Sequence, residues 1–225
     1  MSKPVLYHAD LSPPSRFACV TAQHIGLDVE IRRVDLMKRE HQSSEYTSLN
    51  PAATVPVLVD GDLSVFDSSA ISIYLVEKYA KDDSVYPKDL ILRARVNERL
   101  FYVASYIFPR LYQIFVPAVY GREQEIPQSK IDEILRGYET IETFLKGNEY
   151  LSGINLTLPD LYLWCCMEFL VQLIPVDAEK TPNIVRWLSK MREHPSYEFN
   201  KTGAEAHVEF YRHFIEKSAT NGEEN

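Results

Sequence analysis

Cysteine, basic charge and long apolar runs are all scarce in this sequence, and each shortage excludes a class of protein. Its 225 residues include three cysteines, which are too few for a disulfide framework and favour a reducing compartment such as the cytosol. No apolar run approaches the roughly 20 residues of a membrane span, and no signal peptide is expected. A formal net charge of −8 disfavours binding to nucleic acid or to an anionic membrane surface. We therefore expect a cytoplasmic protein whose partners are neither nucleic acid nor membrane.

Signatures of metal and phosphate chemistry are missing from the sequence as well. Apart from His41, the histidines show no metal-ligand spacing with cysteine or carboxylate partners. There is no glycine-rich phosphate loop, no internal repeat and no Ser-His-Asp arrangement in a recognisable setting. The sequence therefore predicts no metal site.

The first third of the chain has the pattern of a small sheet with helices. Val5–His8 is typical of a short buried strand, and Phe17–Ile25 is typical of a helix that Gly26 ends. Val29–Val34 alternates apolar and polar residues, which is the period of a half-exposed strand. A strand, a short helical crossover and a second strand favour a parallel pair. The polar region that follows, Met37–Ser48, has no predicted element.

A β-hairpin and a helix complete this part of the chain. Two apolar runs, Val55–Val59 and Leu63–Phe66, flank Asp60-Gly61-Asp62, and Asp-Gly between apolar runs is a strong hairpin signal. A polar N-cap then precedes a helix with one apolar stripe. The predicted order is strand, helix, strand, a linking segment, two strands and a helix.

The remaining two-thirds of the chain is predicted to be helical. Apolar periodicity predicts helices at Leu90–Tyr120, Pro127–Lys146, Leu158–Leu173, from Thr181 onward and around Val208–Ile215. Pro109 should kink the first of these helices, and Pro117 should end it. Thr157 and Asp160 give the central helix a capping motif, with an acid at the positive end of its dipole. We predict an α/β domain over 1–80, a linker over 81–88 and an all-helical domain over 89–225.

The turn Asp10–Arg16 is the strongest candidate for a chemical site. It joins a predicted strand to a predicted helix, where unpaired N–H groups and the positive end of the helix dipole face the first polar side chains. Ser12 is thus a hydroxyl beside a place suited to an anion, or to a thiol that becomes one. The alternative interpretation is an ordinary N-cap or turn serine, since Ser-Pro pairs are frequent in turns.

Several stretches, in this order along the chain, resemble the glutathione S-transferase family. They are Ser12-Pro13-Pro14, Asn50-Pro51 with Val55-Pro56-Val57-Leu58, Asp67-Ser68 with Ala70-Ile71, and Tyr86-Pro87 with Arg93-Ala94-Arg95. They are most similar to the insect epsilon and delta classes, and to epsilon more closely. The resemblance implies a thioredoxin-like N-terminal domain, an all-helical C-terminal domain and a homodimer. It also implies a detoxification-type transferase that conjugates glutathione, its co-substrate, to apolar electrophiles.

The resemblance also implies a role for individual residues. Ser12 would be the catalytic residue, donating a hydrogen bond to the glutathione sulfur and favouring its thiolate. A cis bond before Pro56 would free the backbone of Val55 to pair with glutathione, although an X-Pro bond taken alone is usually trans. Asp67 and Ser68 would hold the γ-glutamyl end, and His41 the glycyl carboxylate. The implied glutathione-binding residues are His41, Thr54, Val55, Pro56, Asp67, Ser68 and Ser69.

An apolar pocket for the electrophile is expected between the two domains. Its candidate residues are Leu11, Phe108, Leu111, Tyr112, Phe115, Val119 and Phe210. Aromatic walls with few fixed polar groups suit varied apolar ligands. The alternative is that this stripe is ordinary core, which should hold for about half of it.

Three departures from the family pattern keep other functions open. Ala53 stands where relatives usually carry a histidine for the glycyl end, and Asp67 is one methylene shorter than the usual glutamate. Tyr112 replaces a basic residue that many epsilon relatives carry. A weakly catalytic or non-catalytic carrier of apolar, steroid-like ligands is therefore the second hypothesis. A thiol–disulfide oxidoreductase is disfavoured, because Ser12 occupies the position of the reactive cysteine in related folds.

Overall fold

A computed structural model describes the backbone of residues 3–222 and the side chains of residues 3–216. In its first third, the strands are β1 Val5–His8, β2 Glu30–Arg33, β3 Val57–Asp60 and β4 Leu63–Phe66. The helices there are α1 Pro13–His24, α2 Ser44–Leu49 and α3 Ser68–Tyr79. In the remainder they are α4 Leu90–Tyr102, α5 Phe108–Val119, α6 Gln128–Leu145, α7 Leu158–Leu173, α8 Pro182–Met191 and α9 Tyr197–Gly222. The predicted fold class, a thioredoxin-like domain followed by a helical domain, is confirmed.

The four strands form one mixed sheet in the order β2-β1-β3-β4. β1 runs parallel to β2 and antiparallel to β3, and β3 and β4 form the predicted antiparallel hairpin. Leu6 and Leu58 pack with α1 and α3 on one face of the sheet. Val57 points to the other face, because side chains alternate along a strand, and packs there with Tyr46 of α2. The two central strands, β1 and β3, are therefore packed on both faces, whereas β2 and most of β4 are exposed.

Three helices differ from the sequence prediction, two in where they begin and one because it was not predicted. α1 begins at Pro13 and not at Phe17, because Ser12 caps the helix and two prolines fit its first turn. α2 was missed, since only Tyr46 of its six residues is buried and the segment has no apolar stripe. α9 begins at Tyr197, well before the predicted segment, because polar residues such as Asn200 occupy its buried face.

Proline shapes the long helical segment that precedes α6. A π-helical turn, Val103–Ile107, separates α4 from α5 just before Pro109, where a kink was predicted. The helix ends at Val119, near Pro117 as expected, with Pro117 in its last turn. Pro117 has no N–H for the carbonyl of Gln113, and Lys130 Nζ donates to that carbonyl instead at 2.7 Å.

The central helix α7 is capped as predicted. The buried Asp160 carboxylate accepts hydrogen bonds from the amide and hydroxyl of Thr157, both at 3.0 Å. It also accepts from the amide of Leu151 at 2.9 Å and from Trp187 Nε1 at 3.0 Å. Burial raises the pKa of Asp160 to about 6, against the opposite effect of these hydrogen bonds. Asp160 therefore joins the start of α7 to the preceding loop and to α8.

The three cysteines are free and buried. Cys19 lies in α1, and Cys165 and Cys166 lie in α7. Burial raises the pKa of Cys165 to about 12 and that of the other two thiols well above the usual range. They therefore behave as small apolar residues of the interior.

A buried arginine joins the first helix to the helical domain. Arg16 of α1 donates to the carbonyl of Cys165 in α7 at 2.9 Å and to Oδ1 of Asn200 in α9 at 3.0 Å. Its third contact is the carbonyl of Asp10, at 2.9 Å. Gly203 of α9 lies directly against this group, and a Cβ there would meet Arg16 Cδ at 2.5 Å and the Asp10 carbonyl at 2.8 Å. A glycine is thus required for this close approach.

The structure has no helix or strand between Tyr79 and Leu90, where the linker was predicted. The predicted limits 1–80, 81–88 and 89–225 stay a prediction, and residues 1–2 and 223–225 of those ranges lie outside the described residues.

We expect Gly203→Ala to lower the free energy of unfolding by about 2 kcal/mol, because the added methyl overlaps Arg16 and a rigid carbonyl. Alanine has a higher helix propensity than glycine by up to about 1 kcal/mol, so helix propensity alone would make the variant more stable. Gly137→Ala of α6 is the matched control, since its Cβ meets at 2.9 Å only the movable end of Ile107. Urea unfolding of both variants checks this, and equal losses of stability would contradict it.

Candidate functional site

The register of the sheet brings all predicted ligand-binding segments to one end of it. β1 and β2 are parallel, with His8 opposite Arg33, so the segments that follow them leave at the same end. Val57 lies opposite both Tyr7 and Phe66, so the start of β3 and the end of β4 lie at that end too. The Ser12 turn, the loop carrying His41, the Val55-Pro56 turn and the start of α3 therefore share one edge.

Ser12 lies at the N-terminus of α1 in an extended conformation. Its Oγ accepts a hydrogen bond from the Ser15 amide at 3.3 Å, so the N-cap interpretation describes its geometry correctly. The side chain is half-buried and stands beside the positive end of the helix dipole. Because the oxygen accepts this bond, its proton remains available to donate to a ligand. The cap and the predicted catalytic role are therefore compatible.

The turn that presents Ser12 is anchored by Asp10. His8 Nε2 contacts the Asp10 carboxylate at 2.9 Å, and Arg33 Nε donates to it at 3.1 Å. His8 Nδ1 contacts Cys19 Sγ at 3.3 Å, which pairs both nitrogens of this buried ring. Burial lowers the pKa of His8, and the ring is therefore neutral at pH 7. Burial alone would raise the pKa of Asp10, but the bonds from Arg33 and His8 hold it below its ordinary value. Sequence reasoning missed this anchor, because the three residues match no motif.

The Val55-Pro56 peptide bond is cis, as the resemblance implied. Thr54 before it is held in place, because its carbonyl accepts from Tyr46 Oη at 2.7 Å and from Asn50 Nδ2 at 2.8 Å. Within residues 3–222, neither the amide nor the carbonyl of Val55 has a hydrogen-bond partner. The backbone of Val55 is therefore free to pair with an extended ligand, as an added strand would.

The start of α3 is capped by Asp67. Its Oδ1 accepts from the amides of Ser69 at 2.9 Å and Ala70 at 3.0 Å, which leaves Oδ2 free for a cationic ligand group. Asp67 has φ of +74°, a region that non-glycine residues rarely adopt. Ser68 and Ser69 are both buried, and Ser69 Oγ has no partner within the described residues.

His41 lies in a short 3₁₀ turn, Glu40–Gln42, after two basic residues, Lys38 and Arg39. The ring is half-buried, and its Nδ1 has no partner in the described part of the chain. Ala53 has φ of +52° and only a methyl group as its side chain. The charges of the two basic residues are balanced by those of the nearby Asp35 and Glu40.

The residues predicted to line the electrophile pocket differ in their exposure and in their neighbours. Phe108 and Tyr112 lie with their ring centroids 6.1 Å apart, and Tyr112 is 54% exposed. Phe115 of α5 stacks on Phe210 of α9 with centroids 5.9 Å apart. Leu111 is 1% exposed and packs in the helical core, as the ordinary-core interpretation requires. Leu11 and Val119 are half-buried, and their place in a pocket stays a prediction.

A buried histidine, which the sequence gave no reason to single out, lies behind this aromatic group. The His207 ring stacks on Phe169 with centroids 4.0 Å apart and contacts Phe115 edge-on at 4.3 Å. Its Nδ1 has no partner within the described residues. Burial lowers the pKa of His207 well below its ordinary value, so the ring is uncharged at pH 7.

Among residues 3–222, no cluster of three or more histidine, cysteine, aspartate or glutamate side chains could hold a metal ion. No helix in that part of the chain combines the length and the apolar character needed to cross a membrane.

Comparison with known proteins gives one consistent family. A family model of the glutathione S-transferase N-terminal domain matches residues 5–77, and one of the C-terminal domain matches residues 102–195. The chain is 34% identical over 190 residues to glutathione S-transferase 1 of Manduca sexta, which covers 82% of this chain and 86% of that protein.

Two solved structures illustrate the likeness in three dimensions. An epsilon-class glutathione S-transferase from the housefly, Musca domestica, matches with a TM-score of 0.92 and 39% identity, over 94% of this chain and 98% of that one. A glutathione transferase homologue from Drosophila mojavensis with bound glutathione has a TM-score of 0.90 and 39% identity, over 94% and 97% of the two chains.

We expect Asp67→Ala to lower the free energy of unfolding by about 1 kcal/mol, because two amides at the start of α3 lose their acceptor. Asp67→Asn retains an oxygen for both amides and should cost clearly less. Urea unfolding of the two variants measures the difference. Equal destabilisation would show that the cap does not depend on the side-chain oxygen.

Proposed function

This chain belongs to the glutathione S-transferase family, and we propose that Ser12 activates glutathione for attack on apolar electrophiles. The family uses glutathione as co-substrate and transfers it to an acceptor. The observation that carries the assignment to Ser12 is the Ser12 hydroxyl at the N-terminus of α1, at the same sheet end as the cis Val55-Pro56 turn and the start of α3. Family membership favours conjugation over the carrier hypothesis.

The stabilisation of the thiolate that is required at Ser12 has a magnitude that one hydroxyl and one helix terminus can supply. A free thiol has a pKa of about 8.5, and thiolates near helix N-termini titrate at roughly 3.5–7.5. Lowering a thiol pKa by two units requires about 2.7 kcal/mol of differential stabilisation. A charge-assisted hydrogen bond together with a helix terminus is of this order.

The remaining contacts orient glutathione by its own chemistry. The free amide and carbonyl of Val55 pair with the backbone of the cysteinyl part. The γ-glutamyl carboxylate binds at Ser68, at the N-terminus of α3, and the γ-glutamyl amine contacts Asp67 Oδ2. Thr54 and Ser69 are the other proposed binding residues at this end. The glycyl carboxylate meets His41. With Ala53 in place of a second imidazole, this last end is the weakest attachment.

The chemical step is a nucleophilic attack by sulfur. The glutathione thiol releases its proton to solvent. An electron pair of the thiolate sulfur then forms a bond to an electrophilic carbon. In a substitution this carbon loses its leaving group, and in an addition it keeps all of its substituents. Phe108, Phe115 and Phe210 hold the apolar acceptor, with the exposed ring of Tyr112 at the opening. Placement of the two reactants accounts for the rest of the rate gain.

We also propose that the protein is a homodimer that works in the cytoplasm. Apolar side chains stand exposed on edge strand β4 and on α4, including Phe66 at 40% and Phe101 at 55%. A second copy of the chain would cover such side chains. Three unpaired cysteines suit a reducing compartment.

We expect Ser12→Ala to lower kcat/KM about 10- to 100-fold, because a charge-assisted hydrogen bond to the thiolate is lost. The thiol pKa of bound glutathione should rise with it. The thiolate absorbance of bound glutathione against pH, with conjugation of a chloronitrobenzene, gives both readouts. Ser15→Ala is the matched control, since Ser15 is buried and its Oγ has no partner within the described residues. A low thiol pKa retained in Ser12→Ala would refute the proposal.

We expect Phe101→Glu to shift the protein from dimer to monomer, because a buried interface would then contain an unpaired charge. Light scattering after size exclusion measures the mass. Ile154→Glu is the control, since Ile154 is 76% exposed in the loop before α7, away from β4 and α4. A wild-type protein with the mass of one chain would refute the dimer.

A further inference from the structure

Arg16 is a fully buried cation whose direct partners are all neutral. Its guanidinium donates to Asn200 Oδ1 and to the carbonyls of Asp10 and Cys165, and within the described residues to no carboxylate. Burial lowers the pKa of Arg16, but a guanidinium still keeps its proton in a protein. The group therefore brings a whole positive charge into the interior next to α1.

The carboxylates that surround Arg16 are already paired with other cations. Asp10 receives Arg33 Nε at 3.1 Å, and Glu168 receives Arg192 Nε at 3.1 Å. The charges of each pair cancel, so the guanidinium of Arg16 gives this region one net positive charge.

The other titratable groups packed around Arg16 are uncharged. Burial lowers the pKa of His8 and His207, so both rings are neutral at pH 7. Burial raises the pKa of Cys165 and Cys166, so both remain thiols. No neighbour in the described residues therefore cancels the charge at short range.

This charge lies directly beneath the catalytic turn. Arg16 follows Ser12 by four residues, and its amide donates to the Ser12 carbonyl at 2.9 Å. Its guanidinium holds the carbonyl of Asp10, two residues before Ser12. We infer that the unneutralised charge of Arg16 is an electrostatic device that favours the thiolate form of glutathione bound at Ser12. The inference rests on the proposed function, because it needs a glutathione sulfur at that hydroxyl.

The expected size of the effect follows from Coulomb's law. At a separation on the order of 10 Å and an effective dielectric constant of about 20, one unit charge shifts a thiol pKa by about one unit. Arg16 would act through its field and touch neither reactant. Its contribution would add to that of the hydroxyl and the helix terminus.

The chain offers a nearly isosteric way to cancel this charge. Asn200→Asp keeps an oxygen against Arg16 Nε and places a carboxylate on the guanidinium. Nothing is lost on the other side of the amide, because Asn200 Nδ2 is buried without a partner in the described chain. A purely structural role for Arg16 predicts that this variant folds and works like the wild type.

The test is the thiolate absorbance of bound glutathione against pH in wild type, Asn200→Asp and Ser12→Ala. We expect the thiol pKa in Asn200→Asp to rise by about one unit, with kcat near pH 6.5 falling several-fold and KM for glutathione little changed. Ser189→Asp is the charge-matched control, since it adds the same charge on the exposed side of α8. Its thiol pKa should equal that of the wild type.

The outcomes separate this inference from the proposal on which it rests. An unshifted thiol pKa in folded Asn200→Asp, with a raised one in Ser12→Ala, overturns the inference alone. A wild-type protein that does not lower the thiol pKa of glutathione overturns both. If Asn200→Asp does not fold, Arg16→Lys and Arg16→Gln decide. The lysine variant keeps the charge and should keep the lower thiol pKa, and equal thiol pKa values in the two overturn the inference.

Discussion

The arrangement of the two halves depends on one guanidinium that is taken out of water without an acid beside it. Transferring a charge into the interior is costly, and hydrogen-bond acceptors around the group offset part of that cost. Arg16 finds them on three separate pieces of backbone and side chain, in the Asp10 turn, α7 and α9. The position of each piece is therefore set by the same planar group. Gly203 allows α9 to come close enough to supply one of them.

The loops at the ligand-binding end of the sheet contain residues with strained backbone conformations, each at a similar place relative to a predicted binding residue. The non-glycine residues with positive φ in the described chain are Arg39, Ala53 and Asp67. Each stands one or two residues before a predicted ligand-binding residue, and such backbone costs on the order of 1 kcal/mol or more. The amides of Ala52 and Ala53 donate to Asn50, and the amides of Ser69 and Ala70 donate to Asp67, which holds the last two in place. The strained turns are thereby fixed before any ligand arrives.

Much of the fold could be predicted because its signals are local. The Asp-Gly hairpin, the Thr157–Asp160 capping motif and the apolar helix Leu158–Leu173 each depend on residues close together in sequence, and all were found. The cis bond before Pro56 needed the family resemblance, since no local pattern distinguishes it from a trans bond. The neutral surroundings of Arg16 could not be predicted, and neither could which of the pocket candidates, such as Leu111, belong to the core, because both depend on packing between segments far apart along the chain.

The condition of the three cysteines has a practical consequence. All three are buried thiols whose protonated form is strongly favoured, and a maleimide or iodoacetamide reacts with a thiolate that it can reach. The natural chain should therefore need no cysteine removal before site-specific labelling. A single cysteine introduced on the exposed side of α8 would carry a fluorophore or spin label alone. The motion of that part of the helical domain could then be followed while the native interior remains unchanged.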